Sequence, residues 1–263
     1  MSIISVVEKT QHTFRKKWGQ NFLADTNLLR KIIRTIDSNP DDSILEVGPG
    51  EGALTERILP LVKHLAAIEI DPKLIEYLKK REDLQNCHFI QGDVLRQNLN
   101  ELPIPTPLNV VGNIPYNITS PILFWLIEQR SHWNEAYFMV QKEMADRLTG
   151  TVGTKTYGRL TVMIGAFLNV KKCFTIPPEV FIPKPKIKSA IIKLVKHDEP
   201  IVSDEMFSRF EKIVAAAFSQ RRKMLRNTLT GFRISEEVKA KIDFTRRPET
   251  LTINEFAELS KII

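Results

Sequence analysis

Cysteine is scarce in this 263-residue sequence, which contains only two, Cys87 and Cys173. Two thiols are too few for a zinc cluster, and their apolar neighbours predict buried structural cysteines. No apolar run approaches the roughly 20 residues that a membrane-spanning helix needs. The first eleven residues show no secretory signal, because polar residues follow after only a few apolar ones. These absences predict a cytoplasmic protein that has no structural metal and no membrane partner.

Negative charge is in deficit. The sequence has 38 Lys and Arg against 31 Asp and Glu, a formal net charge of +7. The basic residues cluster at 15–17, 184–188, 221–223 and 246–247. One such run alone is typical of a solvated surface. Several together favour a polyanionic partner, because the release of counterions from phosphates drives association.

Short apolar runs alternate with helical patterns between residues 43 and 195. Five runs rich in apolar residues predict buried strands, at 43–47, 64–70, 87–91, 108–112 and 136–141. Helical spacing between them, at 53–61, 72–81 and 121–130, predicts a parallel sheet covered on both faces. Two later runs, near 170–176 and 190–195, predict an antiparallel end to this sheet.

The pattern changes after residue 198. Segments 204–218, 222–229, 235–241 and 253–263 all have helical spacing, and no strand pattern follows them. We therefore predict an α/β chain, with a mostly parallel Rossmann-like sheet in residues 1–198. A small all-helical domain is predicted in residues 199–263.

A glycine-rich turn follows the first strand of the predicted sheet. Gly48, Gly50 and Gly52 precede a helical pattern, where a tight turn lets a ligand lie against the backbone. About 20 residues on, the second strand reaches Glu69, whose carboxylate can bind both hydroxyls of a ribose. Gly48, Gly50 and Ala53 also satisfy a loose dinucleotide fingerprint, so an NAD oxidoreductase is one hypothesis.

Acidic residues around this turn argue against a dinucleotide. Glu46 and Glu51 flank the glycines where a pyrophosphate would bind, and carboxylates there suit a ligand carrying a sulfonium and an ammonium group. Asp93 follows the third strand, where it can accept a hydrogen bond from an adenine amino group. A glycine turn, a ribose acid and an adenine acid at three successive strand ends predict an S-adenosylmethionine site. The sheet is then of the class I methyltransferase type.

The loop after the fourth strand is suited to an adenine amine. The side-chain oxygen of Asn113 and the carbonyl of Ile114, which precedes Pro115, can both accept hydrogen bonds from that amine. Tyr116 can stack on the purine ring, and Phe181 is a candidate for its opposite face. No basic side chain is required, because the proton can leave after methyl transfer.

Several motifs along nearly the whole chain resemble one family, the ribosomal RNA adenine N6,N6-dimethyltransferases. The most specific are Gly-Gln-Asn-Phe-Leu at 19–23, Asn-Ile-Pro-Tyr at 113–116 and Gln-Arg-Arg-Lys at 220–223. Within the family, the sequence looks most like the bacterial small-subunit enzymes linked to kasugamycin sensitivity. The resemblance implies methylation of two adjacent adenosines in a hairpin loop near the 3′ end of small-subunit (16S) ribosomal RNA.

The resemblance also implies residue roles. In the cofactor pocket, Asn21 and Leu23 help to close the site, Gly48 contacts the methionine moiety, Glu69 the ribose and Asp93 the adenine. Asn113 then lies between cofactor and target base, with Tyr116 and Phe181 beside it. The basic tail is expected to dock the immature small subunit through Arg221, Arg222, Lys223 and Arg247. We expect a monomer.

Two further hypotheses stay open. A related enzyme that methylates an adenine of large-subunit ribosomal RNA, and so confers antibiotic resistance, shares the Asn-Ile-Pro-Tyr loop. A non-catalytic RNA-binding assembly factor with the same fold is the other. The intact set of Glu69, Asp93 and Asn113 favours an enzyme over a non-catalytic assembly factor.

Overall fold

The computed structural model describes residues 22–23, 25–182, 184–233 and 235–261, with only the backbone at 22, 23 and 182. The chain divides into two units, each made of two separate stretches. The first unit contains Met1–Lys142 and Cys173–Lys193, and the second contains Glu143–Lys172 and Leu194–Ile263.

Among the described residues, nine strands form two sheets. They are β1 (Phe22–Leu23), β2 (Ser43–Val47), β3 (His64–Glu69), β4 (His88–Gln91), β5 (Leu108–Asn113), β6 (Trp133–Gln141), β7 (Leu168–Ile176), β8 (Phe181–Ile182) and β9 (Ser189–Lys196). The large sheet has the order β4-β3-β2-β5-β6-β9-β7, while β1 and β8 form a separate two-stranded sheet. Strands β2 to β6 run parallel, and the strands beyond β6 at one end of the sheet, β9 and β7, are antiparallel. This arrangement confirms the predicted Rossmann-like sheet.

Helices connect these strands and form most of the second unit. They are α1 (Thr26–Ile36), α2 (Thr55–Ile58), α3 (Pro72–Lys79), α4 (Thr119–Glu128), α5 (Lys142–Leu148), α6 (Arg159–Gly165), α7 (Asp204–Phe218), α8 (Leu225–Thr228), α9 (Glu236–Lys241) and α10 (Ile253–Lys261). Helix α3 begins after Asp71, whose side chain accepts a hydrogen bond from the Lys73 N–H at 2.9 Å. Pro72 occupies the first turn, where a missing N–H costs nothing.

The register of the parallel strands brings their carboxyl ends to one edge. Val47 pairs with Ile68 of β3 and with Gly112 of β5, and Ile68 pairs with Ile90 of β4. All five residues of β2 are buried, as expected for a central parallel strand. The turns that follow β2, β3, β4 and β5 therefore lie side by side.

The second unit has its own aromatic core. Phe210 of α7 and Phe256 of α10 are fully buried, and the Phe218 ring lies 5.6 Å from the Phe256 ring. Tyr157 is buried beside them, and its hydroxyl donates a 2.8 Å hydrogen bond to the Leu251 carbonyl. These contacts join the stretch 143–172 to the C-terminal helices in one core. The predicted boundary at residue 198 would place these two segments in different domains.

Several element bounds differ from the sequence expectation. The helix predicted at 53–61 is reduced to the four residues of α2, because the glycine turn extends to its start and a 3-10 helix, Leu59–Leu61, follows. The helix predicted at 222–229 begins only at Leu225. Helices α1, α5 and α6 were not predicted. Strand β6 begins at Trp133, three residues before the expected start.

Within the described ranges, no helix combines the length and the apolar composition needed to cross a membrane.

Candidate active site

Three left-handed glycines at alternate positions shape the turn after β2. Gly48, Gly50 and Gly52 have φ values of 71°, 60° and 86°, which residues with a Cβ rarely adopt. The Gly48 N–H donates a 2.9 Å hydrogen bond to the Ile68 carbonyl of β3. This bond fixes the turn beside the end of β3, and the backbone at Gly48 and Gly50 remains partly exposed.

Glu69, at the end of β3, is fixed by three backbone N–H groups. Its Oε1 atom accepts from Ile70 at 2.9 Å and from Asp71 at 3.0 Å, and its Oε2 atom accepts from Gly50 at 3.3 Å. The residue is only 6 % exposed, and burial raises the pKa of its carboxyl while these hydrogen bonds oppose the rise. The carboxylate thus lies directly beside the glycine turn. Its contact with a ribose stays a prediction.

Asp93 follows β4 at the next strand end. Its Oδ1 atom accepts a 3.0 Å hydrogen bond from the Leu95 N–H, which caps the 3-10 helix Val94–Arg96. The preceding Gly92 N–H donates to the backbone carbonyl of Glu69 at 2.9 Å. This bond ties the end of β4 to that of β3, so the structure brings the two predicted nucleoside acids to adjacent positions.

Glu46, the last residue but one of β2, is 2 % exposed. Its Oε2 atom accepts a 2.6 Å hydrogen bond from the Thr55 hydroxyl. Burial raises the pKa of this carboxyl from 4.5 to about 7, partly offset by the Thr55 bond. A carboxyl with this pKa becomes charged more readily when a cation binds nearby, because the cation stabilises its ionised form.

Arg81 braces the same turn, and sequence reasoning missed it. Its Nη1 atom donates a 2.9 Å hydrogen bond to the Glu51 carbonyl, and its Nη2 atom forms a 2.7 Å ion pair with Glu56 of α2. Hydrogen bonding to Asp83, more than that to Glu56, raises the pKa of Arg81 above its ordinary value. No motif marks this contact, because thirty residues separate Arg81 from Glu51.

Asn113 ends β5 next to the glycine turn. Its neighbour Gly112 pairs with Val47, and a Cβ on Gly112 would lie 2.5 Å from the Val47 carbonyl oxygen. A Cβ on Gly48 would lie 3.6 Å from the Asn113 carbonyl oxygen. The half-buried Asn113 is therefore placed beside the glycine turn. Its position between cofactor and target base stays a prediction.

The loop after Asn113 is anchored through Tyr116. Ile114 is buried, Pro115 is extended, and the Tyr116 hydroxyl lies 2.7 Å from the hydroxyl of Ser189 in β9. Ser189 is fully buried, so this hydrogen bond fixes the half-buried tyrosine ring. Its stacking on a target base stays a prediction.

Phe181 differs from the expectation. Its side chain is 3 % exposed and packs in the core cluster that includes Leu29 and Ile32 of α1. The structure thus gives Phe181 a packing role, and its contact with a base stays a prediction. Strand β8 pairs Phe181 with Leu23, for which only the backbone is described. Asn21 lies outside the described residues.

The predicted docking residues of the tail differ among themselves. Arg222, Lys223 and Arg247 are exposed. Arg221 instead donates hydrogen bonds to the Thr154 carbonyl at 2.9 Å and the Lys155 carbonyl at 2.8 Å. The structure therefore gives Arg221 a supporting role for the loop that contains them.

Comparison with known proteins agrees with this arrangement. The family model described as Ribosomal RNA adenine dimethylase matches residues 11–263. A protein of Herminiimonas arsenicoxydans named Ribosomal RNA small subunit methyltransferase A is 39% identical over 95% of this chain and 98% of its own. A Streptococcus thermophilus protein of the same name is 40% identical, over 97% of this chain and 94% of its own.

Two solved structures share the fold at 29% sequence identity. A dimethyladenosine transferase from Plasmodium falciparum matches with a TM-score of 0.78, covering 90% of this chain and 95% of its own. The 23S rRNA methyltransferase ErmE matches with a TM-score of 0.71, covering 91% and 98%. With a family match over nearly its whole length and the methyltransferase strand ends in place, this chain belongs to the ribosomal RNA adenine dimethylase family.

Proposed function

We propose that this chain transfers methyl groups from S-adenosylmethionine to the N6 atoms of two adjacent adenosines near the 3′ end of small-subunit (16S) ribosomal RNA. The target lies in a hairpin loop, and the products are N6,N6-dimethyladenosines. The observation that carries the proposal is the placement of Asn113 beside the glycine turn, in a chain 39–40% identical to proteins named for small-subunit methylation.

The strand ends of the first unit fit S-adenosylmethionine. The left-handed glycine turn would receive the methionine moiety, the fixed Glu69 carboxylate the ribose hydroxyls, and Asp93 the adenine amine. Buried Glu46 supplies a counter-charge near the turn. When bound, the cofactor supplies a methyl group on a positively charged sulfur.

Positioning of the target amine is the main task of the chain's own residues. An adenine N6 amine is a weak nucleophile, because its lone pair is delocalised into the ring. Acceptance of its N–H bonds by the Asn113 side-chain oxygen and the Ile114 carbonyl favours the tetrahedral, nucleophilic nitrogen. The Tyr116 ring, held by Ser189, offers a face on which the base can stack. The amine's proton leaves to solvent after transfer.

RNA docking is proposed for the C-terminal region. Residues 199–263 carry the exposed cations Arg222, Lys223 and Arg247, and phosphate contacts of this kind hold a protein on RNA without reading its sequence. Arg221 contributes to the same surface through the loop that it supports. We propose that the chain acts as a monomer, in the cytoplasm where its ribosomal substrate is assembled.

A second candidate is methylation of large-subunit ribosomal RNA. The observation that favours it is the likeness to the 23S rRNA methyltransferase ErmE over 91% of the chain. The lower sequence identity, 29% against 39–40% for the small-subunit relatives, makes it the weaker candidate.

The experiment measures methyl transfer from labelled S-adenosylmethionine to unmethylated small subunits and to naked large-subunit RNA, with mass mapping of the products. Dimethyladenosine at two adjacent small-subunit positions is expected. Asn113→Ala should lose transfer, whereas Asn100→Ala, which alters an exposed asparagine elsewhere, should keep it. Modification of the large-subunit RNA alone would replace the proposal by the second candidate. Cofactor binding without transfer to either RNA would leave a non-catalytic assembly factor.

A further inference from the structure

The second unit contains a cavity of about 660 Å³ that lies among its C-terminal helices. Its walls include the buried side chains of Leu229 and Ile242 and the half-buried rings of Phe232 and Phe244. This volume is in the usual range for small-ligand pockets, about 300–1,000 Å³. The cavity is therefore large enough, and apolar enough inside, for a planar ring.

Its entrance is basic. Arg226 of α8, Lys239 of α9 and Arg233 between these helices all line the cavity and are exposed. Lys239 also forms a 2.7 Å ion pair with Glu236, which is exposed to solvent and therefore weak. Three cations around an apolar interior suit a ligand that joins a flat ring to an anionic group.

One acid completes the lining. The Asp243 carboxylate accepts hydrogen bonds from the N–H and the hydroxyl of Thr245, at 2.8 and 2.7 Å, and these bonds lower its pKa. Both bonds are made to Oδ1, so the other oxygen, Oδ2, can accept a hydrogen bond from a ligand in the cavity. Exocyclic amines of nucleobases can donate such a bond.

The cavity is held together by backbone contacts. The Arg226 N–H donates to the Phe244 carbonyl at 3.0 Å, and the Phe232 N–H donates to the Leu229 carbonyl at 3.0 Å. These bonds fix the two phenyl-bearing segments relative to α8. The site is thus formed before any ligand binds.

We propose that this cavity binds one unpaired nucleotide of the ribosomal RNA substrate. The base enters between the apolar walls and stacks on a phenylalanine ring. The phosphates bind Arg226, Arg233 and Lys239. Asp243 favours a base with an exocyclic amine, which can donate a hydrogen bond to it. The inference rests on the proposed function for its choice of RNA. It adds to that function a second RNA contact, which reads an unpaired base far along the chain from Asn113.

A short unpaired RNA oligonucleotide without the target hairpin tests the site, with binding followed by fluorescence anisotropy. Phe232→Leu keeps an apolar side chain but removes the ring, so affinity should fall about fivefold to a hundredfold, as for other stacked bases. Lys239→Gln should weaken binding and reduce its salt dependence. Lys212→Gln is the matched control, because Lys212 is an exposed helical lysine of the same unit outside the cavity. It should bind nearly as the native chain does.

The same variants are then compared on unmethylated small subunits, with thermal unfolding and S-adenosylmethionine affinity measured to confirm folding. Ultraviolet crosslinking of the native complex should attach a nucleotide to the peptide that contains Phe232. Unchanged affinity of Phe232→Leu for both RNAs would overturn the proposal, as would equal losses in Lys239→Gln and Lys212→Gln. Failure of the native chain to methylate small subunits is a different result, which removes the proposed function but leaves the oligonucleotide test valid.

Discussion

The hydroxyl groups of Tyr116 and Ser189 lie 2.7 Å apart, although 73 residues separate them in the sequence. Tyr116 follows β5, and Ser189 begins β9 two strands away in the sheet. The hydrogen bond fixes the ring that we propose to stack on the target adenine. A buried neutral hydrogen bond of this kind contributes about 1 kcal/mol.

Tyr116→Phe should therefore lower kcat for methyl transfer only severalfold, because the ring remains but is less well held. Tyr116→Ala should lower it much further, through loss of the stacking face. Affinity for S-adenosylmethionine, measured by calorimetry, should stay unchanged in both variants. Equal kcat values for the two variants would show that the ring itself contributes nothing.

Glu69→Gln should weaken S-adenosylmethionine binding about tenfold or more. The amide NH₂ would face backbone N–H groups that now donate to the carboxylate, and hydrogen bonds to a charged group are worth about 1.5–3 kcal/mol. Glu76→Gln, on the exposed face of α3, is the matched control and should bind normally. Calorimetric titration of both variants measures the difference, and a normal affinity for Glu69→Gln would contradict the assigned role.

Glu46 should make folding stability depend on pH. Because burial raises its pKa from 4.5 to about 7, the folded state holds the proton more tightly than the unfolded state does. The contribution of protonated Glu46 to the free energy of unfolding is fully present below pH 4.5 and is lost as pH rises to about 7. The free energy of unfolding falls by about 3 kcal/mol over this range. Glu46→Gln cannot ionise, so it should gain stability relative to the native chain at pH 8 but not at pH 4.5. Urea unfolding at both pH values checks this, and a difference independent of pH would refute it.

Gly112→Ala should destabilise the first unit. The added Cβ would lie 2.5 Å from the Val47 carbonyl oxygen, so β2 and β5 would have to separate. Forced shifts of this kind cost about 1–3 kcal/mol. Gly231→Ala is the control for the free energy of unfolding, since its Cβ would meet no atom within 4 Å. Similar unfolding midpoints for both variants would rule out the close approach of the strands.

Arg221→Gln should loosen the loop around Thr154 and Lys155, because their carbonyls lose two charged donors. Amide hydrogen exchange in residues 149–156 should become faster. Arg222→Gln, which alters an exposed neighbour, should leave this exchange unchanged. Both variants should weaken binding to small subunits, and an unchanged loop in Arg221→Gln would return that residue to a simple phosphate contact.

Periodicity was a sound guide to the sheet, because parallel strands are short, apolar and buried on both faces. It also placed Gly48, Glu69, Asp93 and Asn113 together, since each ends or follows a strand of the same sheet. Helix α1 was missed, although Asp25 caps it and apolar residues recur along one face at 29, 32 and 36. This cap and this spacing are the signals of α1 in the sequence.

Contacts between residues far apart in the sequence could not be predicted, because tertiary packing brings these residues together. Arg81 reaches the Glu51 carbonyl only because α3 and the glycine turn pack together, which no local pattern encodes. Phe181 has an aromatic ring of the kind that stacks on bases, yet it packs in the core because β8 pairs with β1. Local chemistry therefore indicated which residue types are able to bind a ligand, while packing decided which of them are buried.

The second unit is discontinuous in sequence, and this limits how the family's parts can be exchanged. The buried Tyr157 and Phe167 belong to the stretch Glu143–Lys172 but complete a core whose other half follows Leu194. A chimera that took only residues 199–263 from a relative would pack the relative's C-terminal helices against the native stretch Glu143–Lys172. The two halves of that core would then come from different proteins. A working transplant of the proposed RNA-docking region must therefore carry both stretches, Glu143–Lys172 as well as Leu194–Ile263.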